Sequence, residues 1–245
     1  MGALKGQLKK LYNRSGLGKE PYQDPALNLT CSNFEVNGWT ISEFIIEDIV
    51  PIAGTNPFPV NELFLMVAAV CRLKPTHIFE WGTNIGKSAR IFYEISRKFD
   101  IKTEIHSIDL PDDLEHQEHP KSDRGRLVRD IPEVKLYQGD GLQKSLEICG
   151  NISNTPGAFK PLFFIDGDHS YESVKRELMG VMNSIPEANV LLHDTFFQSA
   201  ESGYNVGPHL AIRDSLTAIP NDYLNLSTET GLPGMTLLYH PLGTK

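Results

Sequence analysis

Apolar residues at 60, 63, 64, 67, 70, 71 and 73 recur at helical spacing and predict a helix beginning at Val60. Beyond it the rhythm changes to short apolar runs separated by amphipathic stretches. Strands are expected at Thr76 to Trp81, Glu104 to Asp109, Val134 to Gln138, Pro161 to Asp166 and Asn189 to His193. Helices are expected from about Gly86 to Lys98, from Gly141 to about Ile148, from Tyr171 to Ile185 and from about Pro208 to Ala218. The fourth strand carries the uninterrupted run LFFI, the pattern of a strand covered on both faces. Two late strands, Tyr223 to Ser227 and Met235 to His240, flank Gly231-Leu232-Pro233-Gly234 and predict a hairpin-like end. Strands alternating with helices imply an α/β fold: a mostly parallel sheet with helices on both faces.

Residues 1 to about 55 are less regular, with Gly, Pro and Asn scattered among short apolar patches. The run Trp39 to Ile46 reads as a strand turning into a helix. Asn56-Pro57-Phe58-Pro59 then punctuates the chain, because proline blocks helix continuation and biases its predecessor toward extended backbone. Residues 1–55 are therefore read as an N-terminal cap or homo-oligomerisation arm, and 56–245 as the main domain.

Composition removes several function classes. A chain of 245 residues, 40% hydrophobic and 22% charged, suits one domain with appendages. A net charge of -8 disfavours a nucleic-acid partner, and the basic runs Lys9-Lys10 and Arg124 to Arg129 read as solvated faces. No apolar run approaches a membrane span, and the first residues lack the apolar core and cleavage site of a secretory signal. Three widely spaced cysteines, Cys31, Cys71 and Cys149, point to reduced thiols in a cytoplasmic setting.

The chemistry gathers at strand ends. The stretch His77 to Ser88, HIFEWGTNIGKS, runs from a strand through an acid and two glycines into a helix, the arrangement that lets backbone and free helix amides approach a nucleotide-like ligand. Glu80, Asp109, Asp166 and His193-Asp194 close predicted parallel strands, and Asp140 follows the third through Gly139. A lone Asp there is as readily a helix N-cap, but five strands ending this way make caps alone a poor explanation. Glu80 is placed to order the glycine turn, Asp109 to bind ribose hydroxyls, and Gly139-Asp140 to sit beside a base. Asp166 and Asp194 are placed to share a hard divalent cation. His193 is a ligand for a softer metal or a support behind the ligands. His169 is the candidate general base, since imidazole titrates near neutrality. His106 reads as a packed core histidine, and His116 and His119 as part of a solvated loop, a candidate lid. Tyr22, Phe34, Trp39, Phe196, Phe197 and Tyr204 are candidate acceptor-pocket aromatics, against the commoner role of core packing.

The run Glu80-x-Gly82-x-x-x-Gly86-x-Ser88 resembles motif I of class I S-adenosylmethionine-dependent methyltransferases. Asp109 in SIDL matches the acid that binds the cofactor ribose, and Gly139-Asp140 the adenine-side motif. The text FFIDGDHSYESVKREL, followed by LLHDT, resembles the methyltransferase 24 group, related to cephalosporin-hydroxylase-named proteins and macrolide sugar O-methyltransferases. The resemblance covers about residues 60 to 240. It implies a Rossmann-like, seven-stranded sheet with an antiparallel member near its end, and S-adenosyl-L-methionine held by Glu80, Gly82, Thr83, Gly86, Ser88, Asp109, Gly139, Asp140 and Asp166. It also implies O-methylation of a small molecule or sugar hydroxyl, with Asp166 and His169 catalytic. A magnesium ion would be held by Asp166, His193 and Asp194. Trp81 stands where a small aliphatic residue is usual, and His193 where metal-dependent members have a carboxylate. Two other readings compete. One is a non-catalytic binding protein that keeps the fold. The other is a nicotinamide oxidoreductase, which the Gly-x-x-x-Gly spacing disfavours.

Overall fold

The computed structural model describes residues 22–111, 114, 120–152, 159–202, 204–219 and 223–242. The candidate lid histidines, His116 and His119, lie outside the described residues, as do Lys9, Lys10 and the first 21 residues of the expected arm.

Seven strands make one sheet: β1 (His77–Trp81), β2 (Glu104–Asp109), β3 (Val134–Gln138), β4 (Pro161–Ile165), β5 (Asn189–His193), β6 (Leu224–Ser227) and β7 (Met235–Tyr239), in the order β3-β2-β1-β4-β5-β7-β6. The first five are parallel, and β7 runs antiparallel between β5 and β6. Strand order reverses between β1 and β4, so the crevice beyond their carboxyl ends is the place where an open α/β sheet takes a ligand.

Residues along each central strand alternate between two cores. Ile78, Ile105, Leu162, Phe164 and Leu191 face one; Phe79, Trp81, Ile108, Phe163, Ile165 and Leu192 face the other. The first core is covered by α1 (Gly38–Phe44), α2 (Val60–Leu73) and α3 (Lys87–Lys98). The second is covered by α4 (Gly141–Ile152), α5 (Tyr171–Ser184) and α6 (Gly207–Ala218). Both faces of β4 are buried along its whole length, as its apolar run predicts.

The expected strand within Trp39 to Ile46 is not formed; the segment is helical from Gly38. Asn37 caps it, its side chain accepting from the Trp39 and Thr40 amides, which meets two of the donors a helix start leaves unpaired. Ile41, Phe44, Ile45 and Ile49 then recur at helical spacing and are fully or almost fully buried against α2 and α3. From α2, Arg72 donates to the carbonyls of Leu27, Asn28, Cys31 and Asn33, tying the irregular segment before Asn37 to the main body. The three cysteines are free thiols. No helix among the described residues is long and apolar enough to cross a membrane.

Candidate active site

The carboxyl ends of β1, β2, β3, β4 and β5 open into one cavity of about 1070 Å³, lined by residues 82–85, 108–110, 139–141, 166–169, His193, Asp194 and Tyr204 among others. Its floor is the glycine turn after β1. Gly82 has φ +93°, and a Cβ there would stand 2.5 Å from the Asp166 carbonyl oxygen, so β1 and β4 close on each other only because this residue has no side chain. Gly86 has φ +84° and caps α3 without a side-chain bond, leaving the first-turn amides of that helix facing the turn.

Beneath the turn, Glu80 is fully buried and accepts from the Ser107 hydroxyl at 2.5 Å, while its Oε2 has no hydrogen-bond partner among the described residues. Thr83 shares a 2.7 Å bond with the same serine. Burial pushes the Glu80 carboxyl up to about 8; the Ser107 and Ser88 hydroxyls oppose this, and the Asp166 and Asp109 charges add to it.

Asp109 accepts from the Leu110 amide at 2.9 Å and from Arg124 Nε at 3.0 Å. Arg124 was expected on a solvated face; it is instead almost fully buried, because a buried carboxylate needs a paired cation. Asp140 takes the N-cap role weighed for such acids, accepting from the Gln143 amide at 2.9 Å, and it pairs with Arg176 at the same distance. Behind it stands Trp81. Its indole packs on Gly141, where a Cβ would lie 2.5 Å from the ring, and it donates from Nε1 to Ser145 at 2.8 Å. This tryptophan, where the resemblance implies a small aliphatic residue, is thus accommodated by a glycine and a serine on α4.

On the other side of the crevice the polar residues form one chain of contacts. His193 is buried with a carboxylate at each nitrogen: Asp166 at 2.9 Å from Nδ1 and Glu62 at 3.0 Å from Nε2. His169 places Nδ1 2.8 Å from Asp194 and Nε2 3.5 Å from Asp166. Tyr204 donates to Asp194 at 2.6 Å, and Glu62 also accepts the Gly234 amide at 2.7 Å. Burial lowers the pKa of both imidazoles, but the facing carboxylates overcome it and raise each to about 10. Asp166 and Asp194 are driven up by burial and pulled down further by these histidines, so both end below the ordinary carboxylate value. The facing carboxylates thus favour the imidazolium form of both histidines, in contrast to the near-neutral titration expected for an isolated base at His169.

Every described residue singled out for the cofactor, the metal or the base lies in or directly under this one crevice. The aromatic expectations fare differently. Tyr204 lines the cavity, but Tyr22 packs on Phe44 and Phe99, Phe34 on Tyr239 and Phe197 on His209. Trp39 is 88% exposed, and Phe196 is not part of the lining. Glu62 is the residue that sequence reasoning missed. An acid in the first turn of an apolar helix reads as a favourable dipole partner, and nothing local marks its contact with a histidine 131 positions away.

No protein-family model and no curated protein sequence matches this chain. Among solved structures it is similar to the SAH-bound methyltransferase PaMTH1 of Podospora anserina, at 18% identity and TM-score 0.51, over 73% of this chain and 77% of that one. It is also similar to the O-methyltransferase of Bacillus cereus in complex with SAH, at 16% identity and TM-score 0.51, over 81% and 90% of the two chains. A third likeness is to the O-methyltransferase TomG of Streptomyces achromogenes, involved in tomaymycin synthesis and solved with SAM, at 16% identity and TM-score 0.50, over 94% of each chain. With its strand order, its antiparallel β7 and its glycine turn after β1, the chain has the Rossmann-like fold of the class I methyltransferases.

Proposed function

We propose that the protein is an S-adenosylmethionine-dependent O-methyltransferase acting on a small-molecule or sugar hydroxyl. The observation that carries this reading is the single crevice at the strand-order reversal, with a turn bounded by Gly82 and Gly86 on one side and a charged His/Asp cluster on the other. The cradle fits the cofactor: Gly82 and Gly86 give the turn its positive φ and its close seat against Asp166 and Val128, and among the described residues buried Glu80 Oε2 has no partner. A cavity of about 1070 Å³ has room for a cofactor and a small acceptor together. When bound, S-adenosylmethionine supplies a methyl group already activated by its sulfonium. Glu80, Thr83 and Ser88 order the turn, Asp109 accepts from ribose hydroxyls with its remaining lone pairs, and Gly139 and Asp140 border the base.

His169 is the proposed base. Asp194 holds Nδ1, so Nε2 is the nitrogen that takes the acceptor's hydroxyl proton, the tautomer logic of a carboxylate-oriented histidine. With a pKa of about 10 it is strongly basic but mostly protonated at pH 7, so methyl transfer is expected to rise with pH toward 10. A His169→Gln variant should lose most activity and that pH dependence.

The residues also fit a divalent cation. Asp166, His169, His193 and Asp194 offer one donor atom each, all within 4.8 Å of one another. Asp166, His193 and Asp194 would hold it, with Glu62 orienting His193 from behind, once the ion displaces the proton that His193 shares with Asp166. Imidazole beside carboxylates suits zinc, iron or manganese better than the magnesium expected from the resemblance. Such an ion would stabilise charge developing on the acceptor oxygen. Calorimetric titration with S-adenosylmethionine and its demethylated product tests the whole reading; no heat with either ligand would overturn it.

A further inference from the structure

A second group of metal-ligating side chains lies at the opposite end of β1 and β2 from the crevice. His77 opens β1, and its register partner Glu104 opens β2, with His106 two residues on, pointing to the same face. His77 Nδ1 lies 3.2 Å from His106 Nε2, and that nitrogen lies 3.5 Å from Glu104 Oε1. Metal–nitrogen bonds of 2.0–2.1 Å set tetrahedral ligand–ligand edges of about 3.3 Å, so the observed separations bracket the edge of a tetrahedral site. One donor atom from each of the three residues lies within 4.8 Å of the others.

The surroundings suit ligation. His106 Nδ1 lies 3.4 Å from the Tyr137 hydroxyl, which can accept its proton and leave Nε2 with a free lone pair toward the cluster. The His106 ring stacks on Phe79 at 4.6 Å and on Tyr137 at 5.8 Å, and His77 rests against Phe159, so the rings are held without a metal. Burial, helped by the His77 and Lys135 charges, lowers His106 to about 4, and burial lowers His77 against the pull of Glu104. Neither imidazole needs to shed a proton near neutral pH. His77 is half-buried and the Glu104 side chain is 44% exposed, so an ion and a fourth, water ligand have access.

The geometry points to a tetrahedral zinc-type site formed by His77, Glu104 and His106 with an open fourth position, clamping β1 to β2 at the edge of the sheet away from the crevice. The site stands independently of methyl transfer. The test is calorimetric Zn²⁺ titration of the chelator-treated full chain, with bound metal counted after dialysis. The wild type is expected to bind one equivalent beyond any held in the crevice, and that equivalent persists in an Asp166→Asn/Asp194→Asn variant, which disables the crevice cluster. His77→Gln should lose that equivalent, and Glu104→Gln should weaken it about tenfold. If the double variant folds poorly, His77→Gln in the otherwise native chain must still bind one Zn²⁺ fewer than wild type. No Zn²⁺ bound by wild type, or unchanged stoichiometry and affinity in His77→Gln, would overturn the assignment.

Discussion

The two ends of β1, β2, β4 and β5 treat histidine in opposite ways. At the carboxyl end, His169 and His193 face Asp166, Asp194 and Glu62, and both pKa values rise to about 10. At the amino end, His106 faces another imidazole, the rings of Phe79 and Tyr137 and, among the described residues, only one carboxylate, Glu104, and its pKa falls to about 4. All three are largely buried, so desolvation lowers all three; the number of facing carboxylates decides the sign. One end is a cluster of charges joined by shared protons, the other a pair of imidazoles joined by a hydrogen bond and by stacking on aromatic rings.

Four substitutions or titrations can break or sharpen this contrast. The largest effect is expected from His193→Ala, which leaves Glu62 and Asp166 without their shared cation. Removing one partner from a buried ion pair costs about 3–5 kcal/mol, read as a lower denaturation midpoint. Little loss would show that the cluster is not held by charge. Next is Gly82→Ala, which sets a Cβ against the Asp166 carbonyl at a φ reserved for glycine. Strain of about 1–3 kcal/mol is expected, with S-adenosylmethionine affinity falling about 100-fold by calorimetry.

The third is the pH dependence of stability. The folded-state pKa values of His169 and His193 lie above the ordinary 6.5, so their contribution is complete below about 6.5 and is lost as pH rises through about 10. His106 titrates lower when folded than unfolded, so the unfolded chain takes up its proton first and stability falls as pH drops from 6.5 toward 4. Denaturation midpoints across pH should show His106→Gln flattening the acid limb and His193→Gln the alkaline limb; the reverse assignment would refute the contrast. The smallest effect is expected at Trp81→Phe, which removes the Nε1 bond to Ser145 and costs about 1 kcal/mol by denaturation, with cofactor affinity nearly unchanged.

Much of the frame was legible from the chain because it depends on local pattern. The LFFI run marked a strand buried on both faces, and the positions of Glu80, Asp109, Asp166 and Asp194 at strand ends placed them along one edge. Where the local signal was ambiguous, it failed. Trp39 to Ile46 is apolar enough for either structure, and the Asn37 cap with burial of Ile41 and Phe44 decided for helix. Arg124, in a basic run with the look of a surface, was drawn inward by a carboxylate fifteen positions earlier.

What the sequence determined by itself is therefore the order of the elements, the two-sided burial of the sheet and the edge on which the acids gather. These follow from hydrophobic period, glycine and strand-end position, all short-range properties. Tertiary structure alone decided the protonation of His169 and His193, the pairing of Asp109 with Arg124, the arrival of Glu62 behind His193 and the seat of Trp81 on Gly141 and Ser145. Each depends on a partner brought from elsewhere in the chain and on the water excluded between them. Charge state and contact in a buried site are set by such neighbours, not by the residue that carries them.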